Sequence, residues 1–87
     1  MGVAPASADP ATPDAAVLRR FGEQVRVARR ALGWSQERLA DECGLHWSYI
    51  GQIERGKRNV GLLNIVRVAK ALDVSPAALL EGSDLPI

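Results

Sequence analysis

The chain has 87 residues, with eleven Lys or Arg against ten Asp or Glu, a formal net charge of +1 and a pI near 8.0. That length holds one small domain, near the lower end of what buries a self-sufficient core, so pairing with a second copy would help. One cysteine and one histidine exclude an internal disulfide and a four-ligand zinc site, and no apolar run approaches membrane-spanning length.

Residues 1–11, MGVAPASADPA, are rich in Ala and Pro with no periodic apolar pattern, as in a disordered arm. They lack the basic-then-apolar order of a signal peptide, so the cytoplasm is the expected compartment. Thr12-Pro13-Asp14 has the order of a helix start: a capping hydroxyl, a proline at the first helical position and an acid in the first turn. Leu18, Phe21, Val25, Ala28 and Leu32 then recur at steps of three and four, one face of a helix that Gly33 ends. Ser35 caps a second helix with Glu37 in its first turn. A third runs from about Trp47 to Arg55 and stops at Gly56. Leu62, Ile65, Val66, Ala69 and Leu72 form a fourth apolar stripe. Ser75-Pro76 repeats the capping signature before Ala77-Ala78-Leu79-Leu80, and Gly82 closes a fifth helix. The fold expected is all-α, with the domain drawn over 14–82, an arm over 1–13 and a short tail over 83–87.

The segment Gln36 to Arg55, QERLADECGLHWSYIGQIER, carries the residue logic of a helix-turn-helix. Leu39, Ala40 and Cys43 make the apolar face of its first helix, and Ile50 and Ile53 that of its second. Gly44 suits the left-handed conformation that ends a helix. Ala40 is small where the next helix must cross closely. Trp47, Ser48, Gly51, Gln52 and Arg55 are left on the outer face, side chains that can stack, hydrogen-bond or hold a phosphate. The regional charge agrees. Residues 17–61 carry nine Arg or Lys against five acids, whereas 1–16 carry two acids alone and 62–87 two bases against three acids. Positive charge is concentrated in the segment made of the helix-turn-helix and its flanks, where phosphate binding would use it.

Three blocks in order, LGWSQERLA (Leu32 to Ala40), YIGQIERGKRN (Tyr49 to Asn59) and IVRVAKALDVSPAALL (Ile65 to Leu80), resemble the lambda-repressor-like domain of Xre/Cro-type regulators. The resemblance spans about Leu18 to Glu81. It implies a five-helix domain that binds double-stranded operator DNA, usually as a homodimer on a palindromic site, with no cofactor, metal or small-molecule ligand. By position it implies that Trp47, Ser48 and Gln52 face base edges. Gln36, His46, Arg55, Lys57 and Arg58 would meet the DNA backbone, and Arg29 and Glu54 would pair to tie the first helix to the third. The chemistry is compatible: glutamine can bond adenine bidentately, and serine can serve several bases.

Two of these positions depart from the usual residues. His46 stands where serine often caps the reading helix, so it is either a structural acceptor or a phosphate contact. Trp47 stands where a polar or basic residue is common, and it either packs on a thymine methyl or folds back onto the domain. Cys43 reads as a core thiol. No His/Cys or carboxylate constellation has catalytic spacing, so an enzyme is not expected. The rival reading is an antitoxin-like or adaptor protein-interaction module, with single-strand or RNA binding behind it. Brevity is also a trait of restriction–modification controllers. A symmetric homodimer is expected through Leu63, Val74, Leu79, Leu80, Leu85 and Ile87, more apolar groups than one small core absorbs.

Overall fold

A computed structural model describes residues 12–83 and places five helices in them: α1 (Pro13–Ala31), α2 (Gln36–Cys43), α3 (Trp47–Glu54), α4 (Leu62–Leu72) and α5 (Pro76–Leu80). Each cap named by the sequence forms. Thr12 Oγ1 accepts from the Ala15 N–H at 3.1 Å, Ser35 Oγ from Arg38 at 3.0 Å and Ser75 Oγ from Ala78 at 3.1 Å. Pro13 is the first residue of α1, as the cap-plus-proline order predicts. Gly44 closes α2 at φ 71°. Leu85 and Ile87 lie outside the described residues.

α1 packs across α3 and α5, and α2 lies against α3 and α4. Leu39, Ile50, Ile53, Leu79, Val25 and Val68 are the largest side chains fully withdrawn from solvent. The tightest crossing joins α1 to α3 at Gly22. A Cβ there would run into the Ile53 carbonyl oxygen and stand 2.8 Å from that of Glu54. Only a hydrogen at position 22 lets the two backbones approach this closely, so a glycine inside a long helix is retained despite its propensity cost. Gly56, at φ 71°, sets the turn after α3 directly on the α1 backbone at Arg19.

Two helical faces differ from the sequence reading. Leu32 caps α1 with its side chain exposed, so the stripe of α1 ends at Ala28. In α4 the buried residues are Val68, Ala69 and Leu72, with Ile65 partly covered, while Leu62 and Val66 face solvent. Asn64, Arg67 and Lys70 give α4 a polar side, but the apolar arc opposite is broad enough to include both Val66 and Val68, so periodicity alone did not fix the edge of the buried face.

α5 has only five residues and cannot hold itself helical. Leu79, at 2% exposure, anchors it in the core, where full burial contributes about 1.5–3 kcal/mol. Arg20 Nε donates to the Glu81 carbonyl at 3.0 Å and Gln24 Nε2 to that of Ala78 at 3.3 Å, completing the attachment to α1. This corrects the assignment of Leu79 to a dimer face, because its side chain is enclosed within its own protomer. Val74 is also partly packed on the core, whereas Leu63 and Leu80 are exposed.

Candidate nucleic-acid interface

α3 has two unlike faces. Its inner face carries Ile50 and Ile53 into the core and Glu54 into a polar junction with α1 and α2. There Arg29 Nε donates to Glu54 Oε2 at 2.7 Å and Arg29 Nη2 to Oε1 at 2.9 Å, a two-point contact with both side chains buried. Arg29 Nη1 adds a bond to the Trp34 carbonyl at 2.7 Å. The bond to Glu54 raises the pKa of the guanidinium further above its ordinary value, against the opposing effect of burial. Gln36 Nε2 donates to Glu54 Oε1 at 3.1 Å. A carboxylate only accepts, so the amide end facing it is the NH2 and the Gln36 oxygen is turned away. The first residue of α2 is therefore oriented by the last residue of α3.

Gly51 is buried beneath Gln36 and Arg55 rather than standing on the outer face. A Cβ there would lie 3.4 Å from Gln36 Oε1 and 3.2 Å from Arg55 Nη1. Its missing side chain makes room for both neighbours.

His46 is the cap of α3. Its Nδ1 accepts from the Ser48 N–H at 3.1 Å and sits 2.8 Å from Ser48 Oγ. With Nδ1 accepting, a neutral ring carries its proton on Nε2, the nitrogen left free to donate. Trp47 is 55% exposed and stacked on the His46 ring at 5.7 Å between centroids, so it does not fold back into the domain.

Beyond Gln52 the chain turns at Gly56 and brings three cations beside the outer face. Arg55, Lys57 and Arg58 are exposed and form no ion pair among the described residues. Arg38, by contrast, is paired with Glu42 at 2.8 Å and lies 4.7 Å over the Trp34 ring. Trp47, Ser48, Gln52, Arg55, Lys57 and Arg58 are thus gathered on α3 and the turn that follows it, with Gln36 adjoining through Gly51 and Glu54. Sequence reasoning missed the Gln36–Glu54 bond and a contact in which Arg58 Nε donates to Gln52 Oε1 at 2.6 Å. A helix-ending glycine followed by basic residues was the available signal for the second, since such a turn folds the chain back on its own helix.

The arrangement is a short, firmly seated helix with a polar and aromatic outer face bordered by positive charge that has no carboxylate partner among the described residues. The helix-turn-helix family description matches residues 25–79, which include both helices of this unit and the buried pair beneath it. The chain belongs to the helix-turn-helix family. One relative within it is the control protein C.BamHI of Bacillus amyloliquefaciens, 53% identical over 70% of this chain and 76% of that protein. Among solved structures, the restriction–modification controller C.AhdI of Aeromonas hydrophila superposes with a TM-score of 0.72 at 52% identity. That match covers 74% of this chain and 97% of the other. The biofilm master regulator SinR, solved in complex with DNA, matches with a TM-score of 0.68 at 32% identity, over 70% and 98% of the two chains. Other members are described as transcriptional regulators of the same type. Among the described residues of this chain no helix is long and apolar enough to cross a membrane.

Proposed function

We propose that this helix-turn-helix protein is a cytoplasmic, homodimeric transcriptional regulator that recognises an inverted-repeat operator, in the manner of a restriction–modification controller. The observation that carries this reading is the outer face of α3: Trp47, Ser48 and Gln52 unclaimed by the core and bordered by three cations without carboxylate partners among the described residues. In this reading α3 enters the major groove. Trp47 packs on a thymine methyl or sugar, while Ser48 and Gln52 meet base edges. Gln36, His46 through Nε2–H, Arg55, Lys57 and Arg58 meet the backbone, where side-chain contacts fix register without reading sequence. The relatives named control proteins and the DNA complex of SinR support the assignment.

The homodimer is supported by exposed apolar side chains. Leu62, Leu63, Val66 and Leu80 stand 73%, 68%, 44% and 42% exposed, which is unfavourable for a solitary domain of this size. A two-fold copy would cover them and set two reading helices about one DNA turn, roughly 34–36 Å, apart. Leu63 and Leu80 are retained from the sequence-based face, Leu62 and Val66 join them, and Leu79 is removed. These leucines are also the one feature favouring an adaptor. Selection of bound duplexes from a random pool separates the readings. A regulator enriches an inverted repeat, and an adaptor enriches nothing.

A further inference from the structure

Gln52 lies on the outward half of α3, and its carboxamide has two chemically opposite ends. The oxygen accepts and the NH2 donates, and bidentate recognition of adenine needs both. In this protein the oxygen is already engaged, by Arg58 Nε at 2.6 Å. Chemistry settles which end is which, because a guanidinium can only donate and would repel an NH2. Arg58 is itself seated on a second partner. Its guanidinium carbon lies 5.5 Å from the centre of the Tyr49 ring, within cation–π range. The half-buried Tyr49 accepts at its hydroxyl from Asn64 Nδ2 at 3.4 Å, and Asn64 Oδ1 accepts from Arg67 Nη1 at 2.9 Å. A polar chain therefore runs from the outer face of α3 to the first turns of α4 and holds the guanidinium beside the Gln52 amide.

We propose that Arg58 determines base specificity by engaging the carbonyl oxygen of Gln52 and placing its own N–H groups beside it, which biases the two side chains toward donating and so toward guanine. The proposal rests on the reading of α3 as the groove-facing helix. Arg58 takes one lone pair of the Gln52 oxygen and crowds the other with its remaining N–H groups, so the pair meets an approaching base edge mainly with donors. Guanine offers two acceptors, N7 and O6, on its major-groove edge. Adenine sets an N6–H2 donor where the pair also donates, and thymine offers a single acceptor. The guanine preference replaces the bidentate adenine contact that a lone glutamine would favour. It also assigns Arg58 a role beyond neutralising a phosphate.

Three proteins carried through duplex selection from a random pool test this: the parent, Gln52→Ala and Arg58→Met. Methionine keeps an unbranched stem over Tyr49 but has no donor. Gln52→Ala identifies the base pair concerned by losing preference there. The parent is expected to select guanine at that base pair, and Arg58→Met to move the guanine-to-adenine ratio by about tenfold or more toward adenine. Adenine already preferred by the parent overturns the proposal. So does a uniform loss of affinity in Arg58→Met with the guanine preference intact, since that is the behaviour of a phosphate anchor. If the folded parent enriches no duplex, the DNA-binding reading itself fails, and the proposal with it.

Discussion

The crossing of α1 over α3 and the outer face of α4 represent opposite uses of side chains. At the crossing nothing is spare. Gly22 has no room for a methyl group, and both Glu54 oxygens accept from Arg29, with Gln36 adding a second bond to one of them. On α4, Leu62 and Leu63 project into solvent without a partner among the described residues. The first region fixes the orientation of the reading helix within the protomer. The second contributes little to the protomer and is available to another molecule. With the proposed dimer, stability and assembly fall on separate surfaces, and substitutions should separate them too.

The largest expected effect is at the buried pair. Glu54→Ala leaves the Arg29 guanidinium buried beside only the Trp34 carbonyl, and stranding one partner of such a pair costs about 3–5 kcal/mol. Denaturant unfolding checks this, and a parent-like midpoint would demote the pair to a minor contact. Replacing both partners by well-packed apolar residues is expected to be far milder, because much of that cost is the orphaned charge.

Gly22→Ala comes next. The atoms that must yield are backbone carbonyls rather than flexible side-chain ends, so the loss should reach about 3 kcal/mol, the upper part of the range for overpacking. A melting temperature unchanged from the parent would mean that α1 and α3 can separate at little cost.

Substitutions on the outer face should move binding rather than folding. Gln52→Ala is expected to lose about 1–3 kcal/mol on the preferred duplex and to relax preference at one base pair. Lys57→Ala should weaken all duplexes alike and flatten the salt dependence by about one unit. Titrations at several salt concentrations distinguish them, and interchangeable effects would mean the two roles are misassigned. His46→Ala removes the α3 cap and should cost about 1 kcal/mol of stability, with His46→Asn recovering most of it. Equal losses in both variants would show that the imidazole acts otherwise than as an acceptor.

The smallest change in unfolding free energy is expected at α4. Leu63→Lys should alter monomer stability by under about 0.5 kcal/mol, since the side chain is 68% exposed. Sedimentation equilibrium of the same variant should nonetheless show loss of the dimer. A parent that is monomeric at micromolar concentration, with or without DNA, would remove the assembly half of the comparison.

Much of this division was legible before the fold was known, for reasons that differ by residue. Caps and helix ends were readable because Thr12, Ser35, Ser75 and Gly44 act within three or four residues of themselves. The apolar sides of α2 and α3 were readable because Leu39, Ala40, Cys43, Ile50 and Ile53 are set among polar neighbours. α4 was readable only in part: Asn64, Arg67 and Lys70 mark its polar side, but the apolar arc opposite is broad, and packing against the neighbouring helices selects Val68 over Val66. Gly22 resembled any helical glycine, because the carbonyls that exclude a methyl group belong to residues more than thirty positions away. The Gln52–Arg58 contact crosses a turn whose path depends on Gly56 resting on α1.

The shortness of α3 bears on how much a single copy can know. Eight residues of helix extend about 12 Å at 1.5 Å per residue, against a DNA rise of about 3.4 Å per base pair, so one reading helix addresses about three or four pairs. A fully specified run of about four pairs recurs by chance roughly once in every 256, which leaves thousands of matches among the ~10⁶ or more competing sites of a genome. Two copies held at a fixed spacing double the word length, and chance matches fall to roughly one in 65,000. With so brief a reading element, the proposed pairing would serve information before it serves affinity.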